Sequence, residues 1–420
     1  MSFKKISIIG LGYIGLPTAA ILASKKMNVV GIDINPNTVD IANSGGVHIF
    51  EPDLESLVES VVKAGFLRAA TVPEPSDVFL IAVPTPFDLG AGEADLGFIE
   101  ASIRAISDVI KIGDLVILES TSPVGTTEQV AKWLLDLRPD LVFPEPGGGS
   151  PDLHIAYCPE RVLPGNAIQE LQTNDRVVGG LTEKCSSVAR AFYETFVRGE
   201  CFITNARTAE MAKLTENSFR DVNIAFANEL SMICDEWNIS VWELIGLANR
   251  HPRVNILEPG PGVGGHCIAV DPWFIISNAL GKARLMRTAR AVNDSKPEWV
   301  VSLILDAVTK YLFADIAKSQ RDITISVYGL AFKPEVDDLR ESPSIKIVEN
   351  LGKKFSGTMQ IVEPYITKLP KNLVGRNIKL VEFSDAVNAD IHVLLVKHSQ
   401  FKNLKSTLSP NAVLLNIKGD

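Results

Sequence analysis

The chain has little that would take it out of water or staple it covalently. None of its apolar runs reaches the roughly 18 residues of a membrane-crossing helix, so no spanning segment is expected. Cysteine is scarce: the five residues at 158, 185, 201, 234 and 267 are odd in number, far apart and without a Cys-x-x-Cys pair. That argues against a disulfide framework or a structural metal and for a reducing, cytoplasmic setting. Excess positive charge is missing too: 41 Lys and Arg stand against 50 Asp and Glu, a net −9, so no broad basic surface invites nucleic acid or anionic lipid. Any anionic ligand must be held by local Lys and Arg clusters. Solenoid repeats and low-complexity tracts are also absent. What remains is an ordinary globular composition over 420 residues, enough for two or three domains.

The amino-terminal pattern is specific. Lys4-Lys5 and Ile6 to Ile9 have the look of a leader, but glycines at 10, 12 and 15 interrupt the apolar run, so the segment reads as a first strand. Strand, Gly-Leu-Gly-Tyr-Ile-Gly, helix and second strand (Val29 to Ile32) form the dinucleotide-binding order. Gly10 makes the turn, Gly12 admits backbone to a pyrophosphate, and Gly15 lets helix and strand pack closely. Asp33 follows 18 residues after Gly15, where a carboxylate meets ribose hydroxyls, and no Lys or Arg follows it before Lys63 to neutralise a 2′-phosphate. NAD is therefore expected rather than NADP. Apolar runs at Val78 to Val83 and Leu115 to Leu118 read as further buried strands. They should present Thr85, Thr121 and Thr126 to the cofactor, although turn and cap chemistry explains Thr126 equally well.

The chain's centre is the loop Gly260 to Pro272, whose glycines and prolines fit a backbone folded tightly against a bound molecule. Asp271 and Pro272 read as N-cap and first residue of a helix, which would place Cys267 near a positive helix end and favour its thiolate. The competing reading is a buried cysteine in an ordinary turn. A Cys267–His266 dyad is disfavoured, because neighbours in extended chain point apart. Residues 138–150 read as a surface loop, and Thr208 to Trp237 as one uninterrupted helix linking domains or forming a dimer interface, with Met211, Leu214, Phe219, Val222, Phe226, Leu230 and Ile233 at helical period. A second helical region, Met286 to Phe313, is expected to break near Lys296-Pro297. From Ile323 strands and helices alternate again, at Ile323 to Gly329, a helix from Ser344, Met359 to Val362, Ile391 to Val396 and Ala412 to Ile417. The turn there, Gly329-Leu-Ala-Phe-Lys333, lacks the three-glycine fingerprint, so no second dinucleotide is assigned. Lys333, Arg340 and Lys418 suit a phosphate-bearing ligand or are surface charges. The fold class is α/β, with two Rossmann-like doubly wound domains joined by a long central helix and helical region: 1–205, 206–315 and 316–420.

Lys213 and Asn217 lie four apart on the long helix and could both hydrogen-bond one substrate oxygen, with Arg220 flanking. Glu160 is a candidate general base or the structural partner of Arg161. His251 and Arg253 add cationic reach. NAD with an activated thiol fits oxidation of an aldehyde through a thiohemiacetal and thioester, and one site could take a primary alcohol to an acid. A two-electron β-hydroxyacid dehydrogenase and a non-catalytic NAD sensor are the competing classes.

These stretches together resemble the nucleotide-sugar 6-dehydrogenases, the UDP-glucose and GDP-mannose dehydrogenase family, over essentially the whole chain. The resemblance rests on Gly10 to Gly15, Val83 to Pro86, Ser120 to Gly125, Pro159-Glu160-Arg161, Ala209 to Asn217, the Cys267 loop, and Gly329 to Lys333 with Asp337 to Pro343. Asn249 to Ile256, Gly265 to Pro272, Pro159 to Gly165 and Glu216 to Phe226 look like the branch acting on UDP-linked 2-acetamido sugars. The resemblance implies oxidation at C6 of UDP-N-acetyl-D-mannosamine, or of its gluco epimer, for surface polysaccharide of the enterobacterial common antigen type. It implies Cys267 as nucleophile, Lys213 as proton donor or oxyanion partner, and Glu160, Asp271 and Thr121 as water-handling residues. Arg161, Val162, Asn217, Arg220, His251, Arg253, Gly264, Phe332, Lys333 and Lys418 would hold the UDP-sugar. Tyr13, Ile14, Asp33, Thr85, Thr126 and Arg340 would meet NAD, and a homodimer through the long helix is expected.

Overall fold

The computed structural model describes residues 3–49, 51–88, 90–145, 151–162, 165–265, 267–279, 281–314, 316–375, 377–410 and 412–419. His266, Leu163, Pro164 and the Gly147 to Ser150 end of the expected surface loop lie outside these. The chain divides into two compact units, Met1–Glu216 with Trp273–Asn278, and Asn217–Pro272 with Ala279–Asp420.

Apolar runs with no polar alternation make strands covered on both faces, and the first unit is built from them. Its sheet has the order Cys201–Asn205, Arg176–Gly180, His154–Tyr157, Leu115–Leu118, Val78–Ile81, Lys5–Ile9, Asn28–Ile32, Leu67–Ala70. Six of these pair in parallel, Arg176–Gly180 joins antiparallel to His154–Tyr157, and Cys201–Asn205 pairs in parallel with Arg176–Gly180. One core cluster contains Ile6, Leu16, Leu22 and Leu80, and a second contains Ile9, Phe79, Ile103 and Leu134. The reversal of strand order falls between Lys5–Ile9 and Val78–Ile81, where the crevice of such a sheet binds ligands.

The second unit repeats the scheme more briefly. Five parallel strands run Ile378–Leu380, Thr358–Val362, Thr324–Tyr328, Ile391–Leu394, Val413–Asn416. The short Ile378–Leu380 was not foreseen, having only three residues between loops. The long helix runs Ala206–Glu236, 31 residues.

One expectation fails. Arg284–Ala314 is a single helix with Pro297 inside it, not two pieces. Proline removes one N–H and frees the carbonyl four residues back. That carbonyl, on Asn293, lies beside Gly262, where an added Cβ would be 3.3 Å from it. The helix is also held from the side: buried Arg290 donates to buried Asp221 at 2.6 Å, and Asn293 Nδ2 donates to the same carboxylate at 2.8 Å. These bonds offset the proline's local cost.

Removing one member of a buried ion pair leaves the other charge uncompensated, at a cost of about 3–5 kcal/mol. Arg290→Met is therefore expected to destabilise the second unit by that amount in urea unfolding, with Asp221 left charged among Asn293 and apolar neighbours.

Candidate functional site

In the first unit, the turn after strand Lys5–Ile9 has the form the glycines require. Gly10 has φ of +94°, and a Cβ there would be 2.5 Å from the Ala82 carbonyl oxygen. A Cβ at Gly15 would be 1.8 Å from the Gly10 carbonyl oxygen, whereas Gly12 faces open space. Helix Gly15–Ser24 starts at Ile14 with no side-chain cap and no acid in its first turn, so its amino-terminal N–H groups remain for an anion. Tyr13 and Ile14 are half-buried beside it. Asp33, half-buried, accepts from Leu11 N at 3.1 Å and Asn35 N at 2.9 Å, which fixes its carboxylate at the strand end. Thr85 Oγ1 is buried without a protein partner among the described residues. A fixed acid, an uncapped helix end and an unbonded hydroxyl fit a dinucleotide. Thr121 is half-buried in the next strand-end loop, while buried Thr126 donates its hydroxyl to the Pro123 carbonyl at 2.7 Å. That loop is tied to the long helix: buried Glu210 accepts from Gly125 N at 2.6 Å, Thr127 N at 2.8 Å and Thr127 Oγ1 at 2.6 Å.

Glu160 follows strand His154–Tyr157 and is buried. Its carboxylate accepts from its neighbour's backbone, Arg161 N, at 2.6 Å and from the buried guanidinium of Arg176. The Arg161 side chain turns elsewhere, to Glu216 at 2.7 Å and the Asp175 carbonyl. The expected structural partner of Glu160 is thus the wrong arginine, because side chains adjacent in extended chain diverge whereas Arg176 opens a neighbouring strand of the same sheet. Val162 packs against the first core. Lys213 is buried on the long helix.

In the second unit, the glycine loop lies against the turn after strand Thr324–Tyr328. Gly265 N donates to the Arg340 carbonyl at 3.1 Å. A Cβ at Gly264 would be 2.7 Å from the Glu341 carbonyl oxygen and 2.9 Å from Phe332 Cβ. Only glycine permits that approach. Lys418 Nζ is 3.5 Å from the Pro259 carbonyl oxygen, and burial lowers its pKa. Lys333 Nζ lies 5.9 Å over the Phe332 ring, and the Arg340 guanidinium pairs with Asp338 at 2.7 Å. Arg220, His251 and Arg253 are exposed, with His251 Nδ1 accepting from Arg253 N at 3.3 Å. Cys267 ends the loop in a turn whose carbonyl accepts from Val270 N at 3.0 Å and Asp271 N at 2.8 Å. Asp271 is the first residue of helix Asp271–Asn278, one position inside the expected cap. Its buried carboxylate accepts from Asn217 Nδ2. Asn217 is one turn beyond Lys213 on the same helix.

Three family models cover this chain in succession: the UDP-glucose/GDP-mannose dehydrogenase family NAD binding domain over residues 4–197, its central domain over 207–295 and its UDP binding domain over 326–418. The chain belongs to the UDP-glucose/GDP-mannose dehydrogenase family. It is 56% identical to UDP-N-acetyl-D-mannosamine dehydrogenase of Yersinia pestis, covering 100% of this chain and 99% of the relative. It is also 56% identical to NDP-N-acetyl-D-galactosaminuronic acid dehydrogenase of Ralstonia nicotianae, covering 100% and 96%. Among solved structures, UDP-D-ManNAc dehydrogenase of Pyrococcus horikoshii matches with TM-score 0.88 at 36% identity, over 99% of both chains. NAD is the family's cofactor, and the turn from Gly10 to Asp33 lies within the match to the NAD binding domain.

For a member of this family, the structure adds residues that sequence reasoning missed. Arg176 carried no motif, and Glu210, though within Ala209 to Asn217, was given no role, since each acts on a partner 16 or more residues away. Glu119, just past strand Leu115–Leu118, is buried and receives the Tyr193 hydroxyl at 2.7 Å. No described helix is long and apolar enough to cross a membrane.

All five cysteines are free, and Cys267 is the one that is not buried. Burial pushes the Cys158 thiol well up, and Cys201 also rises for that reason. Native protein treated with iodoacetamide is therefore expected to take one label per chain, at Cys267, by peptide mass mapping. The other four thiols should react only after unfolding.

Proposed function

We propose that this chain is the NAD-dependent 6-dehydrogenase of UDP-N-acetyl-D-mannosamine, which oxidises the C6 alcohol to the carboxylate in two steps. The observation that carries the reading is the half-exposed Cys267 at the end of a glycine loop seated on Phe332 and Lys418. A plain alcohol dehydrogenase has no use for that thiol. Lys333 and Lys418 take the diphosphate, with Arg220, His251 and Arg253 as further cations. Lys213 and Asn217, on consecutive turns of one helix, polarise the C6 oxygen, and Asp271 orients the Asn217 amide. Bound NAD supplies the hydride acceptor for both steps.

After the alcohol has become an aldehyde, Cys267 Sγ adds to C6 and forms a thiohemiacetal. Loss of a second hydride leaves a thioester. Glu160, with Thr121, takes a proton from water as its oxygen attacks C6; the C–S bond then breaks and the thiolate returns to Cys267. In total, alcohol and one water give carboxylate, two hydrides and three protons. The 56% identity to the Ralstonia relative favours a second substrate reading, the galacto 2-acetamido sugar. Free thiols throughout support a cytoplasmic enzyme, and the product suits surface polysaccharide synthesis. The division 1–205, 206–315, 316–420 assigns cofactor, dimerisation with the thiol loop, and UDP-sugar in turn.

A homodimer along the helix Ala206–Glu236 is part of the proposal. Phe219, Phe226 and Ile233 are 67%, 51% and 36% exposed there and lie seven residues apart. An exposed apolar stripe at heptad spacing is what a partner helix covers.

Two NADH per UDP-N-acetyl-D-mannosamine are expected at 340 nm, with Cys267→Ser lowering acid formation by at least about 10³-fold. Glu160→Gln should release its NADH in a burst and carry a sugar adduct on Cys267 by mass spectrometry. One NADH per sugar, or full activity in the serine variant, overturns the reading; faster turnover of the galacto epimer overturns the choice of sugar. For the dimer, Phe226→Glu should sediment as a monomer where wild type sediments as a dimer.

A further inference from the structure

Behind Glu160 lies a second buried carboxyl that the proposed mechanism does not use. Glu119 closes strand Leu115–Leu118, Glu160 follows His154–Tyr157, and Arg176 opens the next strand. Tyr193, on helix Glu183–Tyr193, covers them. Tyr193 donates its hydroxyl to Glu119 Oε1 at 2.7 Å, and the Arg176 guanidinium carbon stands 5.5 Å over the Tyr193 ring. Arg176 gives Nη1 to Glu160 and Nη2 to the Leu171 carbonyl at 3.0 Å. The cluster is left with one acceptor and one donor unused: Glu119 Oε2 and Arg176 Nε are both buried with no protein partner among the described residues. Two buried thiols also stand against it among the described residues, Cys158 and, opposite Arg176 on the neighbouring strand, Cys201.

Two carboxyls thus face a single guanidinium out of water. One cation balances one of them, and the geometry shows which, since Arg176 is bonded to Glu160. We propose that Glu119 is a positioning residue for Glu160. Held as a neutral acid, it leaves Arg176 wholly to Glu160; once ionised, it draws the guanidinium through the free Nε and releases Glu160 from its place. This rests on the reading of Glu160 as the residue that takes the proton from water. Burial first, and then the Glu160 charge, raise the Glu119 pKa to about 7, so the exchange falls in the working pH range. The Tyr193 hydrogen bond opposes this, because it favours the carboxylate.

The test is the pH profile of kcat with Glu119→Gln, which keeps the acceptor for Tyr193 and cannot ionise. A group titrating near 7 loses about tenfold of its neutral form between pH 6 and 8, so wild-type kcat should fall about tenfold across that range. The glutamine variant should stay level within about twofold, with KM for NAD changed by less than about twofold. Tyr193→Phe removes the donor that favours the ionised form, and should move the wild-type limb to higher pH. A glutamine variant that keeps the limb, or a Tyr193→Phe profile that does not move, overturns the proposal. A merely structural Glu119 would lower Tm in its variant and leave the limb in place. Infrared difference spectra give a readout without turnover: a protonated carboxyl stretch present in wild type at pH 6, lost at pH 8 and missing from Glu119→Gln. Its absence from wild type overturns the proposal even if no nucleotide sugar is oxidised, whereas failure of turnover alone, with that stretch present, counts only against the enzyme reading.

Discussion

A helix that buries its polar face must find a partner for every group on it, and helix Ala206–Glu236 does so along most of its length. Glu210, Lys213, Asn217, Asp221 and Asn228 are buried along with Leu214 and Cys234, while Met211, Phe219, Phe226 and Ile233 are outside. The buried face is thus much more polar than in the usual amphipathic arrangement, in which burial of the apolar stripe drives packing. Each buried polar group costs free energy unless bonded, so each one fixes a neighbour. Glu210 fixes the Gly125 to Thr127 turn, Asn217 fixes Asp271, and Asp221 fixes Arg290 and Asn293. Asn228 passes from Asn293 at 2.9 Å to Gly260 N at 2.8 Å, the residue where the glycine loop begins. The thiol loop is therefore anchored by amides rather than by core packing, and its register follows from this one helix.

The two sheets carry the same turn put to different uses. Gly10 and Gly329 have φ of +94° and +93°, and each donates to the carbonyl ending the adjacent strand, Ile32 and Val362, at 2.8 and 2.9 Å. The next N–H goes to an acid just past that strand: Leu11 to Asp33, Leu330 to Glu363 at 2.6 Å. There the likeness ends. Asp33 remains half-buried, whereas Glu363 is buried against His398 Nε2 at 3.2 Å and accepts a further N–H from Ala331 at 3.0 Å. Helix Gly15–Ser24 starts uncapped, but Pro343–Lys354 is capped by Ser342, which accepts from Ser344 N at 3.2 Å. An acid already bonded and a helix end already capped do not offer the second turn the open acid and uncapped helix end that Asp33 and Gly15–Ser24 present. The first turn lies in the match to the family's NAD binding domain, and the second supports the glycine loop.

How much of this the residues disclosed follows from the range of each interaction. Gly10, Gly12, Gly15 and Asp33 act through local backbone and strand order, so their turn was legible, as were the buried strands and the long helix. The break expected at Pro297 was a local rule overridden by bonds from Asp221, some 70 residues away in sequence. Arg176 was hidden for the same reason, since only sheet pairing brings it to Glu160. The polar buried face of the long helix was hidden by its periodicity: of the apolar positions, Leu214 is buried while Met211, Phe219, Phe226 and Ile233 face out, and spacing alone does not say which.

Lys418 shows why an acidic chain holds an anionic ligand without a basic surface. Its ammonium is partly withdrawn from water beside Gly260, with a single carbonyl at 3.5 Å, and burial depresses its pKa while the charge of Glu258 acts the other way. A cation held in that condition is under-solvated, and a diphosphate arriving there replaces lost hydration with charge-assisted bonds. The same group on an exposed loop would gain far less, because water and salt would screen it. On the proposed reading, selectivity for a doubly charged nucleotide over other solutes comes from cations such as Lys418 and Lys333 in part-buried positions, against a net charge of −9 that disfavours anions elsewhere.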